Sequence, residues 1–61
     1  MYWLIWSNEH KKWWGPNGGG YTTKRSMAGR YTMDKAADIC ARANKGLKDN
    51  QAPDETMLPD V

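Results

Sequence analysis

The alternation of side chains near the N-terminus predicts a β-strand. Residues 2–7 read YWLIWS, and aromatic and β-branched residues in such a run are typical of strands. Because successive side chains of a strand point to opposite faces, Leu4 lies on one face and Ile5 on the other. Both faces are apolar, so we expect this strand to be central in its sheet, or to be covered on its two sides by a helix and a second copy of the chain.

Two short strands are predicted to follow, each in a hairpin. Residues 7–10 (SNEH) favour a turn, and the strand Lys11 to Trp14 then pairs antiparallel with the first. The run GPNGGG over residues 15–20 breaks regular structure. Residues 21–23 (YTT) resume β character, so they are predicted to pair with residues 11–14. Residues 24–31 are predicted to form a loop or a short helical turn that stops at Gly29.

A helical pattern begins after Thr32, which suits an N-cap, while Asp34 suits the positive end of the helix dipole. Apolar residues then recur at helical spacing: Met33, Ala36, Ala37, Ile39, Cys40, Ala43 and Leu47. The stripe is narrow and consists mostly of Ala and Cys, whose small side chains allow close packing on a sheet whose bulk is Trp. Asp38 and Arg42 form an i,i+4 pair, and Gly46 is placed to end the helix in the left-handed conformation.

The C-terminal part is predicted to add a polar linker over residues 48–55 and one short strand over residues 56–58. Pro59 removes a ladder donor, so this strand is short or lies at an edge. The whole chain, residues 1–61, is thus predicted to be a single α+β domain. It has a small antiparallel sheet of three to four short strands with one helix packed on a face, and residues 52–61 hold the last strand and a tail.

The size of the chain limits what it can do alone. With 61 residues and 7.0 kDa it is too small for a multi-domain enzyme. A domain this short buries only about 60% of its unfolded surface. Four Trp and three Tyr are hard to hide in such a globule. We therefore expect a homodimer or higher homo-oligomer, whose self-contact would enlarge the core.

Charge and aromatic residues are concentrated in the same half of the chain. Residues 1–31 hold five basic side chains and one acid, giving +4, whereas residues 32–61 hold four basic and six acidic side chains, giving −2. The basic half also contains every Trp and Tyr. Basic groups interleaved with rings suit a flat anionic partner, such as a nucleotide or single-stranded nucleic acid. The alternative is that the rings simply form the core.

The glycine-rich loop and its neighbours form the candidate binding site. Rings would stack a base, while the loop amides and nearby cations would hold phosphate. The predicted ligand-binding residues are Lys12, Trp13, Trp14, Gly18, Gly19, Gly20, Tyr21, Thr22, Arg25 and Arg30. Of the adjacent pair Trp13 and Trp14, one is expected in the core, and the other exposed, at a subunit contact or over a ligand. The alternative is a mobile hairpin tip with no ligand, since neither a P-loop nor a dinucleotide fingerprint is present.

Catalytic, metal and cofactor sites are not predicted. His10 is the one histidine and fits a turn-capping role, and Cys40 is the one cysteine, on the apolar stripe of the helix, where a buried, inert thiol is expected. A lone cysteine fits a reducing cytoplasm, and no apolar run is long enough to cross a membrane. Asp54 and Glu55 are expected to be solvated acids, the alternative being a pairing with Arg30.

The segments WSNEHKKWWGPN, GYT, AGRYT, ADICARAN and PDETMLP resemble a group of small phage- and prophage-encoded proteins. This resemblance implies a source and a fold. The chain is also similar to short viral anti-defence proteins, some of which sequester nucleotide immune signals such as cyclic nucleotides and the ADP-ribose derivatives of Thoeris defence. That similarity implies a non-enzymatic, oligomeric sponge in the host cytoplasm, with its ligand at a subunit seam.

The leading functional hypothesis is therefore sequestration of a small nucleotide-derived immune signal. One alternative is a protein-directed inhibitor of a host defence enzyme, of anti-CRISPR or anti-restriction type, which an exposed Trp on a flat patch rather than in a cleft would favour. Another is a single-stranded nucleic acid binder, although a net charge of only +2 argues against it.

Overall fold

The computed structural model describes residues 1–46 and 53–60 of the chain. Over these residues it forms one four-stranded antiparallel sheet and one α-helix, which confirms the predicted α+β class. The elements in chain order are β1 (Trp3–Ser7), β2 (Lys12–Trp14), β3 (Tyr21–Thr22), α1 (Met33–Ala43) and β4 (Glu55–Pro59). Single 3₁₀ turns at Pro16–Gly18 and Arg25–Met27 precede and follow β3.

The strand order is β3-β2-β1-β4, so β1 is central as predicted. Leu4 and Ile5 are both 0% exposed, which shows that the sheet is covered on both faces at this strand. Ile5 packs with the helix residues Ala36 and Cys40. The alternation of strand residues places Leu4, together with Trp6, on the face opposite α1, hereafter the far face.

Helix α1 begins as the sequence predicts. The Thr32 hydroxyl accepts a hydrogen bond from the Lys35 amide at 3.2 Å, and Arg42 pairs with Asp38 at 3.2 Å. Gly46 has the expected positive φ of 89°. The buried stripe is narrower than predicted, because Met33 and Ala37 are exposed while Ala36 and Cys40 are buried. The last predicted stripe residue, Leu47, lies outside the described residues.

The short helical turn that the sequence predicts to stop at Gly29 is present at Arg25–Met27, with Ala28 as its C-cap. From there the chain runs extended along the sheet, which was not predicted. The Gly29 amide donates to the Trp14 carbonyl at 2.9 Å, and Tyr31 exchanges two backbone bonds of 2.7 and 2.9 Å with Trp3. A Cβ on Gly29 would lie 2.6 Å from the Gly15 carbonyl oxygen, so this close approach requires glycine.

Strand β4 is an edge strand, as predicted, but is longer than the three residues expected. Its start is tied to the end of α1 by Asn44. The Asn44 carboxamide donates to the Glu55 carbonyl at 2.9 Å and accepts from the Glu55 amide at 3.0 Å. Pro59, which has no amide proton, ends the strand opposite Trp3. These two features limit the edge groups that another strand could pair with.

Across the two ranges that the structure describes, α1 and the 3₁₀ turns fall short of the length and apolar character that crossing a bilayer requires.

Candidate ligand-binding cleft

An open cleft of about 610 Å³ lies between the start of α1, β2 and the first 3₁₀ turn. It exists because α1 packs mainly against β1 and β4 and leaves the neighbouring half of the sheet uncovered. Its volume is within the usual range of small-molecule sites, about 300–1,000 Å³. The lining residues are Trp14, Asn17, Gly18, Arg30, Tyr31, Thr32, Lys35 and Ile39. We call this site the Trp14 cleft.

Trp14 supplies the flat wall of the cleft. Its side chain is half-buried on β2, and its indole Nε1 donates to the Glu55 carboxylate at 3.3 Å. The Tyr21 ring meets it edge to face, with ring centroids 6.0 Å apart. Ile39 contributes an apolar surface from the helix. The arrangement presents a held indole ring to the cleft, which suits stacking against another flat ring.

Tyr31 holds the glycine-rich turn that forms a second wall. Its hydroxyl donates to the Gly15 carbonyl and accepts from the Gly18 amide at 3.0 Å. Asn17 and Gly18 have positive φ angles of 56° and 71°. The side chain of Tyr31 is itself buried against Ile5 and α1. The turn is therefore fixed to the core rather than standing free at a hairpin tip.

The predicted phosphate-binding role of the loop amides needs correction. The amide of Gly18 bonds to Tyr31, that of Gly19 to the Pro16 carbonyl at 2.9 Å, and that of Gly20 to the Gly18 carbonyl at 3.2 Å. The glycines allow the unusual backbone angles of the turn. Their amide N–H groups form hydrogen bonds within the protein and are therefore not available to a phosphate.

Positive charge in the cleft comes from Arg30 and Lys35. Two of the five guanidinium donors of Arg30 are engaged, one by Asp60 at 2.8 Å and one by the Ala28 carbonyl at 3.0 Å. Lys35 projects from the first turn of α1, where backbone amides and the helix dipole add further positive potential. The cleft therefore combines an indole wall with a cationic end.

The structure brings three of the predicted site residues together in the cleft: Trp14, Gly18 and Arg30. Lys12 is exposed on β2, on the same side of the sheet as Trp14. Tyr21 is 45% exposed and stands at the rim, with His10 against its ring at a centroid distance of 4.3 Å. Neither Lys12 nor Tyr21 lines the cleft.

The other predicted residues lie elsewhere. Trp13 and its neighbour Thr22 are on the far face, where Trp13 packs against Trp6 with centroids 4.9 Å apart. Arg25 lies 3.9 Å from Asp60, in a smaller depression beside the second 3₁₀ turn. Gly19 and Gly20 do not line the cleft. Trp13 and Trp14 lie on opposite faces of the sheet, as predicted, but neither ring is fully in the core, because both are half-buried.

Five lining residues were missed by sequence reasoning: Asn17, Tyr31, Thr32, Lys35 and Ile39. A signal existed for three of these. Thr32, Lys35 and Ile39 share one helix face by their spacing of three and four, next to an N-cap that the sequence marks clearly. Tyr31 and Asn17 carried no such signal, because their positions depend on contacts between distant segments.

The expectation of solvated acids is wrong for Glu55, which is only 5% exposed. Within one chain, Arg30 pairs with Asp60 rather than with Asp54 or Glu55. Cys40 is buried, as predicted. Burial raises the pKa of the Cys40 thiol, and the nearby Glu55 carboxylate raises it further.

Metal-binding groups are not evident in residues 1–46 and 53–60, where no three His, Cys, Asp or Glu side chains cluster suitably. In comparisons with family models, curated proteins and solved structures, nothing matches this chain. A functional interpretation therefore depends on the geometry and charge of the Trp14 cleft.

Proposed function

We propose that this chain is a non-enzymatic binding protein that holds a small anionic ligand of the nucleotide type in the Trp14 cleft. One observation carries the proposal. A held indole wall, Trp14, and two basic side chains, Arg30 and Lys35, line the same cleft of about 610 Å³. A nucleotide needs this combination, since it joins a flat ring to phosphate.

The ring of the ligand would lie on Trp14, with Ile39 as an apolar contact. Stacking of a base on an aromatic side chain contributes about 1–3 kcal/mol to binding. Phosphate would lie toward Lys35 and Arg30 at the start of α1, where the amides of Met33 and Asp34 have no partner within the helix. Tyr21 and Lys12 extend the same surface beyond the rim, so they would contact the outer part of a larger ligand.

Holding the ligand requires no bond to form or break. Sequestration of an ADP-ribose derivative or a cyclic nucleotide in a host cell, as the resemblance to viral anti-defence proteins implies, belongs to the same proposal. The position of Trp14 in a cleft favours a small ligand over a protein-directed inhibitor, for which a ring on a flat patch is the expected feature.

Self-association is part of the proposal, and we place it on the far face. This face carries the Trp6–Trp13 pair and Leu58, whose side chain is among the exposed large hydrophobic ones. Strand addition at β4 is disfavoured by Asn44 and Pro59, which occupy or remove edge groups. Native mass spectrometry of protein purified from cells would report the subunit number and any retained small molecule.

Calorimetry and thermal melting with ADP-ribose derivatives, cyclic nucleotides and inorganic pyrophosphate test the proposal. A ligand at 100 times its Kd stabilises the native state by about 2.7 kcal/mol, which gives a clear rise in Tm. Lys35→Gln should weaken binding, whereas Lys45→Gln, the same charge change at the far end of the helix, should not. No melting shift with any member of the panel at saturating concentration would refute the proposal.

A further inference from the structure

Glu55 is a buried carboxylate whose presence the fold alone does not explain. Its residue is 5% exposed, and the ion pairs within the described part of the chain involve Asp60 and Asp38 instead. Burying a carboxylate without a cation is unfavourable, because the charged group loses its hydration and gains no opposite charge. A chain of 61 residues has little stability to spare.

The surroundings of Glu55 fix its backbone in place. The Asn44 carboxamide bonds to both the amide and the carbonyl of Glu55, which ties its backbone to the end of α1. Its backbone also pairs with β1 opposite Ser7, a residue that is 0% exposed. The Cys40 thiol lies close enough for the Glu55 charge to raise its pKa. The carboxylate thus extends from an anchored backbone, on the face of the sheet that α1 packs against.

The group that this acceptor holds is the indole of Trp14, at 3.3 Å from Nε1 to Oε1. Trp14 is half-buried at the margin of the helix-covered part of the sheet, where packing restrains a ring on fewer sides than in a core. A hydrogen bond at the far end of an indole restricts both side-chain torsions at once. The Trp14 side chain is thereby ordered before a ligand binds, which reduces the entropy cost of binding.

We propose that Glu55 is a positioning residue that sets the angle of the Trp14 ring, and through it the preference of the cleft for ligands that carry a flat ring. The first half of this statement concerns the free protein. The second half rests on the proposed function. The ring contact depends on Glu55, while the cationic end formed by Arg30 and Lys35 does not.

Two substitutions separate positioning from simple structural support. Glu55→Met replaces the carboxylate with an apolar side chain of similar length, and Glu55→Gln keeps an acceptor oxygen without the charge. We expect Glu55→Met to change the Tm little, because relief of the buried charge offsets the acceptor that the half-buried Trp14 indole loses. Its affinity for ADP-ribose should fall about 2- to 12-fold, the cost of ordering one side chain. Its affinity for inorganic pyrophosphate should stay unchanged, and Glu55→Gln should restore most of the ADP-ribose affinity.

A readout without ligand makes the test independent of the proposed function. Indole N–H resonances of the four Trp can be assigned by single Trp→Phe variants, and Trp13, on the far face, is the internal control. Glu55→Met should shift the Trp14 resonance and leave that of Trp13 in place. If no ligand binds wild-type protein, the proposed function fails, and the Trp14 resonance alone decides the role of Glu55. An unmoved Trp14 resonance, or equal losses of ADP-ribose and pyrophosphate affinity that track a lower Tm, would overturn the proposal.

Discussion

Trp13 and Trp14 are neighbours in sequence and both half-buried, yet their surroundings differ. Trp13 lies on the far face and packs edge to face against the Trp6 indole, with centroids 4.9 Å apart and planes at 70°. Trp14 lies on the other face, donates to a buried carboxylate and forms the wall of a cleft. Trp13 therefore contacts another aromatic ring, whereas Trp14 is hydrogen-bonded to a carboxylate and borders an open cleft.

This difference shows what an excess of rings in a small chain can and cannot indicate. On the far face, two indoles cover each other, as aromatic pairs do in edge-to-face contacts. On the helix side, the ring next to the cleft is oriented by Glu55 and bordered by Lys35 and Arg30. The number of aromatic residues in the sequence does not distinguish the two faces. Only the groups that contact each ring separate a ring used for packing from a ring that a ligand could reach.

The largest expected effect comes from removing each ring in turn. Trp13→Ala should lower the free energy of unfolding by about 3 kcal/mol, the lower end for a core Trp because the ring is half-buried. It should leave ADP-ribose affinity unchanged. Trp14→Ala should cost a similar amount and also weaken ADP-ribose binding at least about fivefold, the smallest effect of one lost stacking contact. Urea unfolding and calorimetry measure the two quantities.

A double-mutant cycle of Trp6→Ala and Trp13→Ala is the control for that comparison. We expect a coupling energy of about 0.5–1.5 kcal/mol between these two rings. The same cycle with Trp6→Ala and Trp14→Ala should show little coupling. Comparable ligand effects from Trp13→Ala and Trp14→Ala would mean that the two faces are not functionally distinct.

The next effect tests the wall opposite Trp14. Gly29→Ala would place a Cβ 2.6 Å from the Gly15 carbonyl oxygen and 2.8 Å from the Pro16 Cα, which are backbone atoms that cannot move aside cheaply. We expect a loss of about 2–3 kcal/mol in the free energy of unfolding, typical of overpacking. A shift of the Trp14 indole resonance should accompany it, without a shift for Trp6.

Gly46→Ala is the matched control for that substitution. Gly46 has a positive φ of 89° but open space around its Cβ position. Its replacement should cost only the backbone strain, about 1 kcal/mol, with no effect on either Trp. Equal losses from the two glycine variants would show that the close approach at Gly29 is not a structural requirement.

Local patterns predicted the parts of the fold that depend on local physics. Strand alternation identified β1 as central, and the Thr32 cap and Gly46 bounded the helix. The path of residues 28–31 was not predictable in this way. It depends on the contact of Gly29 with Gly15, between segments whose separation in sequence gives no periodic signal.

The residues that line the Trp14 cleft were predicted in part, for a related reason. Trp14 and Arg30 follow from composition, because rings and cations near glycines suggest nucleotide chemistry. Lys35 was readable from its helical spacing to Thr32. From the sequence, Glu55 is expected to be a solvated acid next to Asp54. In the folded chain it is buried and accepts a hydrogen bond from the Trp14 indole. A buried polar contact between distant strands leaves no trace in a single sequence.

A smaller effect is expected from Tyr31→Phe, which removes only a hydroxyl. That hydroxyl joins the Gly15 carbonyl to the Gly18 amide across the turn. Its loss leaves a buried acceptor and a donor to find water, so we expect a cost of about 1–2 kcal/mol. Hydrogen exchange should increase at the Gly18 amide and stay unchanged at the Asn8 amide, which bonds to the Asp54 carbonyl at 2.7 Å. Unchanged exchange at Gly18 would contradict the role of Tyr31 as the clamp of the turn.

The smallest effect concerns the pH dependence of stability at Cys40, beneath the helix side. Burial raises the pKa of this thiol, and the Glu55 charge adds to the shift. A thiol whose pKa is higher in the native than in the unfolded state stabilises the fold while it is protonated. That contribution is complete below the unfolded pKa of about 8.5 and is lost as pH rises toward the native pKa.

Wild-type protein should therefore lose stability as the pH rises above about 8, and Cys40→Ala should lose less over the same rise in pH. Comparing the two slopes in urea unfolding cancels the titration of every other group, so the absolute cost of removing the thiol does not matter. Glu55→Gln should lie between them, because it removes the charge but keeps the burial of the thiol. Parallel slopes for wild type and Cys40→Ala would mean that the Cys40 thiol ionises as easily in the native state as in the unfolded chain. In that case the contact between α1 and β4 would be wetter than its burial indicates, and Glu55 would have solvent as well as Trp14 for a partner.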